Sequence, residues 1–455
     1  MDLKGRKTVV LGAARSGWAA AAALRRQGAL VWLSDAKAAE KLPDAAARAG
    51  SLGVHLALGG HPDSLLKDCA LLVLSPGVPN HIAFIQAARK QDIPVWSEIE
   101  LAYRLKARRW VAVTGTNGKT TTTSLIYAMF GADGAPALLG GNIGEALAER
   151  TLDASDETAV VAEVSSFQLE DIHQFCPSVA VFTNLTPDHL DRYSGMDAYA
   201  AAKARIFENM DSRGHLVSNA MDLGLQKVCR SARATQWRFS RIEAQTVGAW
   251  EKEGTLWLRE PGGEAQALMP LAALKLRGPH NLENALAAAC ACAAFGLPLK
   301  AIADALSQFE GVEHRLEPVG EVQGVRFVND SKATNVDSVE KALQSFAEPV
   351  HLILGGRDKE GDFTALADLV KAHVARIYTI GEAADKISRQ LQGQAPIEAS
   401  GDLATAVRSA AALAKPGEWV LLSPGCASFD QFENYEDRGR SFKALVQALK
   451  TGVTA

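Results

Sequence analysis

"VAVTGTNGKTTTT", Val111 to Thr123, is the stretch on which the reading of this chain turns. An apolar run ends at a glycine, a second glycine follows three residues later, and a Lys–Thr pair opens a threonine-rich segment. The pattern is a strand, a turn and then a helix, with backbone N–H groups gathered at the helix start. Such a terminus attracts anions through unpaired donors and the helix dipole. The familiar phosphate loop reads G-x-x-x-x-G-K-[ST], but Val113 stands five residues before Gly118, and the first available glycine is Gly115. The loop is therefore a short one, Gly115-Thr116-Asn117-Gly118-Lys119-Thr120, with Thr121 next on the helix. The two glycines allow close approach of a phosphate, Lys119 supplies positive charge, and the Thr120 hydroxyl is placed to hold Mg²⁺.

Acids follow at strand ends. "AVVAEVSS" sets Glu163 at the end of a buried strand, where nucleotide-binding sheets hold Mg²⁺; taken alone it reads as a surface-loop carboxylate. "FTNLTPDHLDR" sets Asn184, Asp188, His189 and Asp191 after the next strand, a polar cluster suited to metal or phosphate. In "YAAAKARIFEN", Tyr199, Lys203, Ile206 and Phe207 share one helix face by spacing. A lysine there either snorkels, the commoner case, or is held for a purpose. A desolvated lysine has a lowered pKa, and a neutral amine reacts with CO₂ to give a carbamate.

The 455 residues allow about three domains at ~150 residues each. A net charge of −4 without a long basic run argues against a nucleic-acid partner. No apolar run reaches the ~18 residues of a membrane span, and the N-terminus enters a strand-turn-helix pattern without a leader. Six scattered cysteines without C-x-x-C read as free thiols in a reducing compartment. The expectation is a cytoplasmic monomer.

Strands alternate with helices in three segments, the mark of parallel α/β sheets. The expected segments are 1–105, 106–311 and 312–455, with a hinge near Gly311. Within the second, "TQWRFSR", "VGAWEKEG" and "TLWLREPG" read as a small antiparallel insertion. The first carries "GAARSG", a G-x-G-x-x-G with Ala14 between Gly12 and Gly17, and Asp35 ends its second strand. Read from residues alone, that segment is compatible with NAD binding and an oxidoreductase, which leaves the phosphate loop and its acids unexplained.

"TGTNGKTTT", "EVSSFQL", "TNLTPDHLDR" and "YAAAKARIFEN", then "GPHNLENALAA", "HRLE", "NDSKATN", "GGRDKEGDF" and "LLSPGCASFDQFENYEDRG", together resemble the Mur ligases. The motifs run from residue 12 to about 440, nearly the whole chain, and the last five are the most specific. The resemblance implies an α/β protein of three domains. They are an N-terminal Rossmann-like domain, a central P-loop ATPase-type domain with a mostly parallel sheet, and a C-terminal Rossmann-like domain. It also implies an ATP-dependent ligase that phosphorylates a substrate carboxylate to an acyl phosphate. The amine of an amino acid then attacks, and phosphate leaves a tetrahedral intermediate.

Within the family the pattern is similar to the members that add glutamate, D-glutamate being expected, to UDP-N-acetylmuramoyl-L-alanine. The alternatives are L-glutamate, another Mur reaction or a folylpolyglutamate-type one. The D-N-P-R element associated with the diamino-acid-adding members is absent.

By the same resemblance, two Mg²⁺ ions (Mn²⁺ as a substitute) are held through Thr120 and Glu163 and through His189 and a carbamylated Lys203. ATP meets the loop together with Asn281, Asn284 and Arg315, and Asp330 meets its ribose. Lys332 lies by the phosphates and the reacting carboxylate. Thr334, Lys359, Ser428 and Tyr435 surround the incoming glutamate. The first segment holds the UDP part: Arg15 and Ser16 at the pyrophosphate, Asp35 at the uracil, and Ser75, Gly77 and Asn142 along the diphosphate and sugar. Three places depart from the pattern: Ala14 replaces a glycine, Ala36 and Lys37 follow Asp35 where no uracil contact is carried over, and Tyr435 stands where Phe is expected.

Overall fold

Buried apolar strands separated by helices build three sheets. The computed structural model describes residues 2–106, 109–188, 192–276, 278–358 and 361–451. The chain divides into two compact units, Met1–Ala273 with Glu283–Ser307, and Leu274–Leu282 with Gln308–Ala455.

The first unit contains two sheets. One is formed by β1 (Lys7–Leu11), β2 (Leu30–Asp35), β3 (His55–Leu58), β4 (Cys69–Leu74) and β5 (Val95–Ser97), in the order β3-β2-β1-β4-β5, with every pairing parallel. The helix Arg15–Arg26 packs on it through an alanine run buried from Ala19 to Ala23. Those small side chains let the helix lie close to the strands.

The other sheet has β6 (Trp110–Thr114), β7 (Ala137–Gly141), β8 (Ala159–Glu163), β9 (Val179–Phe182), β10 (His215–Asn219), β11 (Thr235–Ser240), β12 (Gly248–Lys252), β13 (Thr255–Arg259) and β14 (Ala265–Pro270). Its order is β14-β13-β12-β11-β10-β9-β6-β8-β7. β6, β8 and β9 are buried at every position, the continuous apolar pattern of strands covered on both faces. β6 lies between β8 and β9, so the chain changes sides of the sheet at its carboxyl end. That is where ligands bind in open α/β sheets.

The antiparallel part differs from the expectation. β11, the "TQWRFSR" strand, pairs parallel with both β10 and β12; only β12–β13 and β13–β14 are antiparallel. The three strands β12–β14 extend the edge of the sheet. A long crossover is unnecessary between β11 and β12, because β12 overlaps only the last three residues of β11, from Arg238↔Gly248. Gly248 permits this closeness: with φ 134°, a Cβ there would stand 1.8 Å from the Arg238 carbonyl oxygen.

The two sheets of this unit are pinned by buried carboxylates. Glu100, on the helix Glu98–Leu105, accepts backbone N–H groups from His173, Gln174 and Phe175 and is paired with Arg104. Tyr103, Trp110 and Phe175 meet edge to face beside it. Charge-assisted bonds of this kind are the strong ones, so the ligand-facing edges of the two sheets are held in fixed relation.

The second unit carries β15 (Glu317–Val322), β16 (Val325–Asn329), β17 (Val350–Gly355), β18 (Val374–Ile380), β19 (Ile397–Gly401) and β20 (Trp419–Leu422), in the order β15-β16-β20-β17-β18-β19. β15 is antiparallel and the rest parallel. Val339, Leu343 and Leu366 belong to one apolar cluster of this unit, and Val407, Phe442 and Val446 to another. Among the described residues no helix is long and apolar enough to cross a membrane.

Candidate active site

β6 ends at Thr114, and the short loop carries the chain into the helix Lys119–Asp133. Gly115 (φ 141°) and Gly118 (φ 79°) adopt conformations that side chains disfavour. A Cβ on Gly115 would lie 1.9 Å from Thr183 Oγ1, and one on Gly118 would lie 2.2 Å from Asn284 Oδ1. The segment after β9 holds the loop open. Thr116 N donates to Asn184 O, Asn117 N to Asn184 Oδ1 at 2.9 Å, and Thr183 Oγ1 to Asn117 O at 2.6 Å. Lys119 Nζ turns back onto the carbonyls of Gly115 (3.0 Å) and Thr116 (2.7 Å).

The helix brings Thr120 to the end of β8, where Thr120 Oγ1 donates to Glu163 Oε2 at 2.7 Å. The other oxygen, Oε1, accepts Asn142 Nδ2 at 2.8 Å. A hydroxyl and a carboxylate meeting at a helix N-terminus form an oxygen donor set that fits Mg²⁺. Asn142, expected along the sugar and diphosphate, lies beside Glu163.

Lys203 is 2% exposed, and its Nζ donates to Gly115 O at 2.8 Å and lies 4.6 Å from the centre of the Tyr199 ring. Burial holds its ammonium form well below the ordinary lysine range. The nearby Lys119 charge adds to this, and Asp188 and Glu163 oppose it. The snorkelling reading does not hold: the amine is enclosed, and burial disfavours its ammonium form. Tyr199, on the same helix face, reaches Thr116 Oγ1 at 3.4 Å. His189 and Asp191 lie outside the described residues.

At the first sheet's edge, Ser75 Oγ donates to Gly12 O at 3.1 Å, and a Cβ on Gly17 would lie 1.8 Å from the same carbonyl. Asp35 Oδ2 accepts Ala13 N at 2.7 Å and Oδ1 accepts Lys37 N, so this carboxylate shapes the glycine-rich turn. Arg15 and Ser16 open the following helix, and Gly77 lies in the loop after β4.

In the second unit, Asn281 and Arg315 line one cavity of about 340 Å³ with Phe346 and Trp419; Asn284 belongs to the first unit, on the Gly118 turn. Asp330 opens the loop after β16. Its Oδ2 accepts Ser423 Oγ at 2.8 Å and its Oδ1 accepts Leu316 N. Lys332 Nζ lies 5.2 Å from the centre of the Tyr435 ring. Thr334 is half-buried in the same loop and Ser428 is buried in the loop after β20; Lys359 lies outside the described residues.

One residue that holds these loops escaped sequence reasoning: it lies on the helix Tyr435–Thr451. Arg438, 1% exposed, donates to Ser331 Oγ and O and to the carbonyls of Cys426 and Ala427, clamping both loops together. Its signal was the charged "YEDRG" run, where nothing marks a buried arginine. Glu313, His314 and Glu317 cluster nearby at metal-like spacing, but Lys443 pairs with both carboxylates, and the group reads as an ion-pair network.

Burial pushes the Asp330 carboxyl up to about 7, with Ser423 and Arg315 favouring its charge. Unfolded, the group ionises near about 4. Between these values the folded protein keeps a proton that the unfolded chain releases, so stability falls as pH rises from about 4 through about 7. Asp330→Asn should therefore gain on the wild type in melting temperature from pH 5 to pH 8. A difference that stays constant over that range would contradict the assignment.

The fold and this site define a nucleotide-binding α/β protein with a phosphate loop, a Mg²⁺-type donor pair and further ligand-facing loops. Family models match in chain order: the Mur ligase MurD-like N-terminal domain over residues 6–97, the Mur ligase middle domain over 113–292, and the Mur ligase glutamate ligase domain over 314–426. The chain belongs to the Mur ligase family.

It is 44% identical to the UDP-N-acetylmuramoylalanine–D-glutamate ligase of Acidobacterium capsulatum over 449 residues, 98% of this chain and 97% of that protein. It is also 44% identical to the ligase of that name from Desulfatibacillum aliphaticivorans, covering 99% of this chain and all of the relative. Among solved structures, a pseudomurein peptide ligase type C from Methanothermus fervidus matches with a TM-score of 0.62 at 19% identity, over 98% of this chain and 100% of its own. A UDP-N-acetylmuramate–alanine ligase from Thermotoga maritima matches with a TM-score of 0.59 at 18% identity, over 97% and 99%. These two show the shared fold.

Proposed function

We infer that the protein is an ATP-dependent ligase joining D-glutamate to the carboxylate of UDP-N-acetylmuramoyl-L-alanine, with release of ADP and phosphate, in the synthesis of peptidoglycan precursors. The observation that carries this reading is the Thr120–Glu163 pair on the short phosphate loop, in a chain alike over its whole length to ligases of that name.

The site residues then divide the work. Gly115 to Thr121 cradle the phosphates, Asn284 supports the loop, and Asn281, Arg315 and Asp330 take the rest of the nucleotide. Thr120 and Glu163 would hold one Mg²⁺, and His189 with carbamylated Lys203 a second. Bound there, the ions supply charge neutralisation between two anions that must meet. Lys119 and Lys332 offset the remaining repulsion between γ-phosphate and carboxylate. Thr334, Lys359, Ser428 and Tyr435 hold the glutamate so that its amine faces the activated carbonyl. Arg15, Ser16, Asp35, Ser75, Gly77 and Asn142 serve the UDP-linked substrate. The segment 1–105 would serve chiefly the UDP-linked substrate, 106–311 chiefly ATP, and 312–455 the amino acid with part of the nucleotide, in a cytoplasmic monomer.

Phosphate release from ATP tests the reading, with purified protein, Mg²⁺ and UDP-N-acetylmuramoyl-L-alanine. D-glutamate should support release and a product of the matching mass. Release with L-glutamate alone would move the specificity, and release with neither would overturn the reading.

A further inference from the structure

A narrow cleft lies among the loop after β4, the turn Ser166–Leu169 after β8 and the segment after β9, and of the residues so far given a role only Ser75 lines it. Asn80, Phe167, Gln168 and Arg192 line it as well. The Arg192 guanidinium lies 3.8 Å from the centre of the Phe167 ring, and its Nη2 donates to Glu170 Oε2 at 3.3 Å. Glu170 is itself fixed from two sides: Asn80 Nδ2 donates to Oε2, and Tyr193 OH to Oε1 at 2.5 Å. One loop of each sheet thus holds the carboxylate that orients the arginine.

A guanidinium carries five N–H donors. Here one face is stacked and one nitrogen is paired, while Nε and Nη1 have no hydrogen-bond partner among the described residues. The side chain keeps 18% exposure. A planar, oriented fork with donors to spare suits a phosphate or a carboxylate. The cleft also lies between Ser75 at the first sheet's edge and Gln168 just beyond the Glu163 end of β8. The cleft has room for about one oxygen-sized group, about 10 Å³, beside the Arg192 fork.

We propose that Arg192, oriented by Phe167 and Glu170, binds an anionic oxygen of the UDP-linked substrate in this cleft, either of its diphosphate or of its terminal carboxylate. The proposal rests on the functional reading above.

Arg192→Ala should raise KM for UDP-N-acetylmuramoyl-L-alanine by about ten- to a hundred-fold, the range of a lost charge-assisted bond. KM for ATP and for D-glutamate should change by less than about two-fold, and Arg192→Lys, which keeps the charge but not the fork, should recover part of the loss. Inhibition by UDP separates the two sources: it weakens in step if the diphosphate is held, and is unchanged if the carboxylate is held. An unchanged KM for the UDP-linked substrate in a variant that melts like the wild type would overturn the proposal. So would a fall in melting temperature with all three KM values rising together. If the wild type shows no glutamate-dependent turnover, the functional reading fails on its own. Calorimetric titration with UDP-N-acetylmuramoyl-L-alanine then decides: weaker binding by Arg192→Ala upholds the proposal, and equal binding rejects it.

Discussion

Replacing Lys203 with alanine is expected to lower turnover by about 10²- to 10³-fold, the scale of losing one charge-stabilising group at a reacting centre, with partial recovery in added acetate. The amine is enclosed beside Lys119, against the carbonyl of Gly115, and its ammonium form is disfavoured chiefly by burial. A buried cation near a second lysine is a poor resident of a site proposed to hold Mg²⁺. A carbamate on the same nitrogen is an anion and an oxygen donor, which suits that site. Acetate is small enough to enter the space that the shortened side chain leaves and to supply the same carboxylate. Full activity of Lys203→Ala without a carboxylate would reject the carbamate. Loss that no short carboxylate relieves, in a variant that melts like the wild type, would point instead to the contact with Gly115.

Gly115→Ala is expected to abolish ATP binding at concentrations that saturate the wild type and to lower the melting temperature. Its backbone angle alone costs a non-glycine residue about 1–3 kcal/mol. The added methyl would also meet Thr183 Oγ1 at 1.9 Å and Thr183 N at 3.1 Å. Thr183 cannot withdraw freely, because its hydroxyl holds the Asn117 carbonyl at 2.6 Å. The loop would have to open, separating the N–H groups that face the phosphates. Gly131 is the internal control, sitting inside the helix Lys119–Asp133 with nothing within 4 Å of an added Cβ. Gly131→Ala should stabilise by about 0.5–1 kcal/mol. Calorimetric titration of ATP and thermal melts read both variants, and normal ATP affinity in Gly115→Ala would refute the steric argument.

Much of this was legible because it is local. A strand running into G-T-N-G-K-T shows its chemistry within ten residues, and Glu163 shows itself by ending an apolar run. Asn184 was legible as part of a polar strand-end cluster, but its grip on the loop backbone was not. What stayed hidden depends on partners far away in the chain. Glu100 binds N–H groups more than 70 residues away, and Arg438 binds a loop 107 residues earlier; a charged residue in sequence looks the same whether it faces water or backbone. Strand direction was hidden for a different reason. β11 and β12 alternate and break like a hairpin, yet they pair parallel over a short overlap that begins at Gly248. The burial of Lys203 lay between these cases: helical spacing put it on the apolar face, and the tertiary packing decided whether the amine escaped.

The backward turn of Lys119 has a consequence for anion binding. With its ammonium resting on the carbonyls of Gly115 and Thr116, and Lys203 on the first of these as well, the loop answers its own charge at rest. A lone inorganic phosphate must break that arrangement in return for one set of contacts. Any anion that enters the loop therefore displaces contacts that a side chain of the loop itself makes with the loop's own carbonyls.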